Sequence, residues 1–233
     1  MAIEKIIFQG ETRSDQYEEI LAFCQEYVSR YLPNIIGDES TGEIKCRLPD
    51  RNYNSLLLKA SSNQNIAVTK WYSGNSGTST NGNTYDGSGQ RYDHAIVTSK
   101  GIYLCWYKDA TKTDEPSFVI LTPNNTGGVF SIGSYNASAC HCSVGDLTNR
   151  HAFGYNIFTQ VSASTGFSYM SHKAAFTNLT PFVDRGTYNN GPVSYSYSPY
   201  CFWLFFNEFF GQIGKLTLNG KSYFTNGYIA IEE

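Results

Sequence analysis

The sequence predicts a mainly β protein: an antiparallel sandwich or barrel-like domain with one N-terminal amphipathic helix and a C-terminal β-meander. Three observations carry this. Short apolar runs such as Ile102-Tyr103-Leu104-Cys105-Trp106-Tyr107 and Phe118-Val119-Ile120-Leu121 recur from residue 95 onward, separated by turn residues. Strands at that spacing with no helical pattern between them argue for antiparallel sheets. Two Asn-Gly pairs, Asn219-Gly220 and Asn226-Gly227, punctuate the final apolar-alternating runs. Asn and Gly both tolerate positive φ, so each pair favours the tight turn of a hairpin. Only one segment of the chain repeats its apolar residues at helical intervals.

Taken in order, residues 3–8 read as a strand. A helix follows over residues 15–31, opened by an Asp15-x-x-Glu18 capping box. Its apolar positions, Tyr17, Ile20, Leu21, Cys24, Tyr27, Val28 and Tyr31, recur at three and four residues, giving one buried face about 25 Å long. Leu32-Pro33 stops it. Strands are expected at 44–48, 55–59 and 66–72. Residues 73–90 contain five glycines and no aliphatic side chain, so burial cannot offset their ordering entropy and they read as an exposed loop. A phosphate-cradling role for that loop lacks both Gly-Lys-Ser/Thr and a following helix. Residues 95–98 and 102–107 form a hairpin, and 118–121 lead through Thr122-Pro123-Asn124-Asn125-Thr126-Gly127-Gly128 to a strand at 129–132. Three regions result: a strand-helix-strand segment at 1–72 packed on the β domain, a Gly/Ser/Asn-rich loop at 73–93, and an antiparallel β domain at 94–233.

In the closing meander, two-residue loops would set Leu216 opposite Tyr223, Tyr223 opposite Ala230, and Phe224 opposite Ile229 on the other face. Apolar side chains on both faces mean the meander cannot stand alone in water. Its second face must rest on the rest of the chain or on a neighbouring subunit. It is read as a structural seal.

At 233 residues the chain can bury a substantial core. Charged residues make up 16%, against roughly 25% in typical soluble domains, while aromatics reach 15% with 18 tyrosines. Such a surface suits coverage by neighbours, or a solvated face built of Tyr, Asn, Ser and Thr. The net charge of −3 comes with no basic cluster, so no nucleic-acid partner is expected. No apolar run approaches the roughly 18 residues of a membrane span. The N-terminal residues lack a secretory-signal pattern, which points to synthesis in a cytoplasm. The Asn-x-Ser/Thr triplets at Asn124, Asn136 and Asn178 are then chance matches.

The six cysteines, at 24, 46, 105, 140, 142 and 201, show no disulfide-framework spacing and read mostly as reduced, buried hydrophobes. Cys140-His141-Cys142 near His151 invites a zinc reading. On a strand, however, His141 would point away from the two cysteines, and no second Cys pair completes the set. Nucleophilic catalysis by a cysteine with His94, His141, His151 or His172 has no flanking signature. A carboxylate pair of hydrolase type has few candidates, since Asp146, Asp184 and Glu208 are the only acids between Pro116 and the final two residues. No catalytic residue, metal ligand or cofactor is therefore assigned.

Residues 186–207 differ. They carry no charge and eight aromatics. Tyr195-Ser196-Tyr197 alternates, and Pro199 interrupts the ladder as at an edge or bulge. Tyrosine and tryptophan are favoured at protein interfaces. The candidate interaction residues are Tyr188, Tyr195, Tyr197, Tyr200 and Trp203, with core from Phe202 onward.

The run Ala174-Ala175-Phe176-Thr177-Asn178-Leu179-Thr180-Pro181-Phe182-Val183, the aromatic Pro-Tyr segment, Gly220-Lys221-Ser222-Tyr223 and Gly227-Tyr228-Ile229-Ala230-Ile231 together resemble virion structural proteins of tailed bacteriophages and prophages. His94-Ala95-Ile96-Val97 and Ile120-Leu121-Thr122-Pro123-Asn124 echo strands of the same kind. The likeness covers about residues 94–233 and rests on turn and strand motifs. It implies a tail, neck or baseplate-type component of a virion, made in the bacterial host cytoplasm and present in several symmetric copies. Its partners would be copies of itself and other virion proteins, with no enzymatic activity. The competing expectation is a carbohydrate- or receptor-binding module at a virion surface, with a cell-surface glycan stacked on the tyrosines.

Overall fold

The computed structural model describes residues 3–47, 55–60, 67–72, 91–107, 117–123, 129–135, 139–145, 155–156, 179–185, 195–204, 214–225 and 229–233. The described residues are mainly β, forming three antiparallel sheets and one N-terminal helix. The sheets do not close into a barrel; they are layered, in a sandwich-like arrangement.

Strand β1 (Glu4–Ile7) is followed by helix α1 (Arg13–Glu26) and a 3-10 turn at Val28–Arg30. The helix begins earlier than the sequence suggests. Thr12 is the N-cap: its hydroxyl accepts the Asp15 N–H at 3.2 Å, and the Asp15 carboxylate accepts the Thr12 N–H at 3.2 Å. Asp15 is thus the third helical residue of the capping box rather than its cap. A threonine followed three residues later by an acid satisfies two orphan donors at once. At the other end the helix stops at Glu26, and the 3-10 turn carries Val28 into the core. Tyr17, Ile20, Cys24, Tyr27 and Val28 are buried as expected, while Leu21 and Tyr31 are only partly so. Phe23 and Gln16 are buried too, so the inward face is broader than its apolar repeat.

A four-stranded sheet comprises β2 (Asn34–Asp38), β3 (Glu43–Arg47), β4 (Ser55–Ala60) and β5 (Ala67–Tyr72), in that order. The sequence reading missed β2. The helix lies across β2, β3 and β4. Cys24 on the helix touches Cys46 on β3. Burial, then the hydrogen bond with Cys46, pushes the Cys24 thiol well above its ordinary range.

The largest sheet has seven strands: β1, then β6 (Arg91–Val97), β7 (Ile102–Tyr107), β8 (Ser117–Pro123), β9 (Val129–Tyr135), β10 (Ala139–Gly145) and β11 (Tyr155–Asn156). The β6–β7 hairpin closes through Ser99-Lys100-Gly101, with the Thr98 N–H donating to Gly101 C=O at 2.8 Å. On β6, Tyr92 pairs with Trp106 and His94 with Cys105, leaving Asp93 as a bulge. The extra residue lets Tyr92 and Ala95, three apart, face the same way.

Side chains then divide cleanly between two faces. Tyr92, Ala95, Val97, Ile102, Leu104, Trp106, Val119 and Leu121 join the helix and the four-stranded sheet in one core cluster, with Ile44, Leu56 and Leu58 opposite. Ile96, Tyr103, Phe118 and Ile120 are equally buried but lie outside that cluster. Coverage on both faces explains why β7 and β8 read as continuous apolar runs instead of alternating ones. Each such side chain taken fully from water contributes about 2 kcal/mol.

The second cover is a five-stranded sheet of β12 (Leu179–Arg185), β13 (Tyr195–Leu204), β16 (Ile229–Glu232), β15 (Lys221–Thr225) and β14 (Gly214–Leu218), in that order. Its Phe224 ring stands 5.2 Å from the ring of Tyr103. The meander's second face therefore rests on the chain itself. Asn219 (φ 51°) and Gly220 (φ 76°) form the expected turn with both residues left-handed, and Leu216 pairs with Tyr223.

The next register differs. Tyr223 lies opposite Glu232, Phe224 opposite Ile231 and Thr225 opposite Ala230. The connection is two residues longer than a two-residue loop at Asn226-Gly227 allows; residues 226–228 lie outside the described ones. A slip of two preserves the faces. Tyr223, Ala230 and Leu216 still form one cluster, and Ile231 shares the inner side with Phe224. Residues 73–90 also lie outside the described residues.

Candidate interaction surface

Strand β13 carries four of the five residues singled out in the sequence. Tyr195, Ser196 and Tyr197 pair with Arg185, Asp184 and Val183 of β12. Phe202, Trp203 and Leu204 pair with Pro181, Thr180 and Leu179. Between these stretches four residues of β13, 198–201, oppose the single Phe182. Pro199 sits in that bulge, where its missing N–H breaks no ladder bond. On the other side β16 pairs only with Cys201, Phe202 and Trp203.

Ser198 and Cys201 are fully buried, while Pro199 and Tyr200 remain partly exposed. Burial pushes the Cys201 thiol far above its usual range. Beneath the bulge runs a directed chain of hydrogen bonds. The Tyr200 N–H donates to Ser198 Oγ at 3.2 Å, the Ser198 and Thr122 hydroxyls lie 2.9 Å apart, and Thr122 Oγ1 donates to Lys100 C=O at 3.0 Å. Because the Thr122 proton is committed to that carbonyl, Ser198 is the donor to Thr122. Above it, the Lys100 ammonium lies 4.8 Å from the Tyr200 ring centroid. Lys221 nearby is held above the usual lysine range, first by its 2.8 Å bond to Glu232 and in small part by Tyr200.

Tyr200 is therefore fixed by its own chain: the bulge sets its backbone and a lysine covers a ring face. Tyr195, Tyr197 and Trp203 are placed by strand register, and Tyr188 lies outside the described residues. The sequence reading missed a different feature. Among the described residues the large apolar side chains left exposed are Ile7 at 59% and Ile36 at 52%. They sit on β1 and β2, the end strands of two sheets.

The residues weighed for chemistry fall as follows. Cys24, Cys46, Cys105 and Cys201 are buried and outside any disulfide. His94 holds Asp93 Oδ2 at 2.8 Å through Nδ1 and lies opposite Cys105, but the histidine is buried at 9% exposure and the thiol at 0%. Cys140, His141 and Cys142 lie on β10, paired with β9 and β11; His151 and His172 lie outside the described residues. Among the described residues no group of three or more His, Cys, Asp or Glu could hold a metal ion, and no helix is long and apolar enough to cross a membrane.

Comparison with known proteins returns no relative. No family model matches the chain, no curated protein is significantly similar to it, and no solved structure matches it.

Proposed function

We propose that this chain is a structural component of a phage or phage-like particle and acts through protein–protein assembly contacts. Its partners in this reading are copies of itself and other virion proteins, and its place is the virion, as a tail, neck or baseplate-type part. The observation that carries the reading is the combination of few charges with sheet ends that bear isoleucine. End strands present unpaired N–H and C=O groups, and proteins that avoid association place lysine, proline or bulges there. Here β1 carries an exposed Lys5 beside Ile7, whereas β2 carries no lysine, proline or bulge and its Ile36 stays exposed. The resemblance of the closing meander to phage virion proteins adds to it.

The alternative, a glycan-binding module, needs tyrosine rings open to a sugar. At Tyr200 one ring face already carries Lys100, which favours assembly over stacking. Replacing Tyr195 and Tyr197 together by serine separates the readings. Loss of higher-mass species in sedimentation supports assembly. Loss of glycan binding with unchanged mass supports the lectin and overturns the proposal.

A further inference from the structure

We infer that two copies of this chain join edge to edge through β2, in antiparallel register centred on Ile36, to make one continuous eight-stranded sheet. The inference rests on the assembly reading and names its surface and partner.

The argument begins with which backbone groups face outward. The Ala60 N–H donates to Gly42 C=O at 2.8 Å, so Gly42, Ile44 and Cys46 bond toward β4, and Glu43, Lys45 and Arg47 bond toward β2. Opposite them, Asn34, Ile36 and Asp38 spend their backbone groups on β3. Ile35 and Gly37 therefore point their N–H and C=O away from the sheet. The Ile35 N–H already donates to Pro33 C=O at 3.1 Å, so it lies off the ladder, and the groups offered to a second copy are the Gly37 N–H and the Ile35 and Gly37 carbonyls. Self-pairing must then match Ile35 or Gly37 of one copy with Ile35 or Gly37 of the other.

Three registers satisfy this. Ile35 on Ile35 places Ile36 against Asn34 of the second copy. Gly37 on Gly37 places it against the Asp38 carboxylate. Ile35 on Gly37 places Ile36 against Ile36, with Asn34 beside Asp38 at both ends. Only the last covers the exposed isoleucine with its own kind. The neighbouring strand supports the same choice. Arg47 lies beside Asn34 and Glu43 beside Asp38, so each hairpin has a cationic end and an acidic end. The two-fold operation brings Arg47 of one copy to two strand spacings, about 10 Å, from Asp38 of the other. The two Lys45 side chains stay three strand spacings apart, about 14 Å, where salt screens them.

Isoleucines directly opposed in a non-hydrogen-bonded antiparallel pair have Cα atoms about 4.5 Å apart, within the range of a disulfide. The test uses the full chain carrying Ile36→Cys, with glutathione disulfide as oxidant. The two introduced thiols give up two electrons and two protons to form the bond, and glutathione disulfide is reduced to two thiols. The expected result is a disulfide-linked dimer from Ile36→Cys, formed at least tenfold faster than from Ser99→Cys, an exposed control on the β6–β7 turn. Ile36→Lys should remove the dimer from sedimentation profiles, and should leave the melting temperature unchanged at protein concentrations too low for association, since the site is exposed in the single chain.

Equal cross-linking rates for the two cysteine variants, or a dimer indifferent to Ile36→Lys, overturns the edge pairing. The Tyr195/Tyr197 replacement reads another surface. An oligomer lost there, with no Ile36→Cys cross-link here, sinks the β2 edge and spares the assembly reading.

Discussion

The hydroxyls of Ser198 and Thr122 meet 2.9 Å apart at a fully buried point between β13 and β8, joining the five-stranded sheet to the seven-stranded one. Together with Tyr200 N–H and Lys100 C=O they make a four-member relay. Ser198→Ala strands the Tyr200 N–H and a Thr122 lone pair, and Thr122→Val strands the Lys100 carbonyl and the Ser198 proton. Each should cost about 1–3 kcal/mol. The double variant should cost clearly less than the sum, because the members share partners. Urea unfolding of the four proteins measures this; strict additivity would show that the relay does not act as a unit.

Gly101 closes the β6–β7 turn under the five-stranded sheet. A methyl group there would stand 3.0 Å from Ile231 Cγ2 and 3.1 Å from Leu121 C=O. Gly101→Ala should therefore lower stability by about 1–3 kcal/mol through overpacking. Chemical denaturation tests it, with Ser99→Ala, two turn positions earlier and exposed, expected to change little.

The Thr12–Asp15 box makes the helix start sensitive to acid. The hydrogen bond from Thr12 holds the Asp15 carboxyl below its ordinary 3.8. A depressed folded value means that the contribution is present above the unfolded value and is lost as pH falls through the folded one. Amide exchange at Asp15 and Gln16 should accelerate below about pH 4, beyond its intrinsic pH dependence. Thr12→Ala should cost about 1 kcal/mol at neutral pH and abolish that step. Exchange that tracks global unfolding at every pH would contradict it.

Gln16 is 2% exposed, and both amide atoms lack a hydrogen-bond partner. A buried amide left unsatisfied costs about 1–3 kcal/mol. Gln16→Leu, close in volume, should raise the thermal midpoint. A lower midpoint would mean that the amide is satisfied in solution.

Much of the fold was legible in local pattern. Asn219-Gly220 fixed a turn because both residues accept positive φ, and the pairing of Leu216 with Tyr223 followed. The β6–β7 hairpin and the β8–β9 pair were equally readable, since a turn between two apolar runs leaves few pairings. The candidate surface was legible only as composition. Tyr200 looked available in the sequence, and a lysine one hundred residues away occupies its ring.

Sequence by itself determined the β class, the N-terminal helix and the buried apolar runs, because backbone preference and side-chain period are local properties. Tertiary structure alone decided that the sheets stack without closing, that the second hairpin slides by two residues, and that β2 ends a sheet with Ile36 outward. Those outcomes depend on which distant surfaces compete to cover one another, and burial is a property of the whole packed chain.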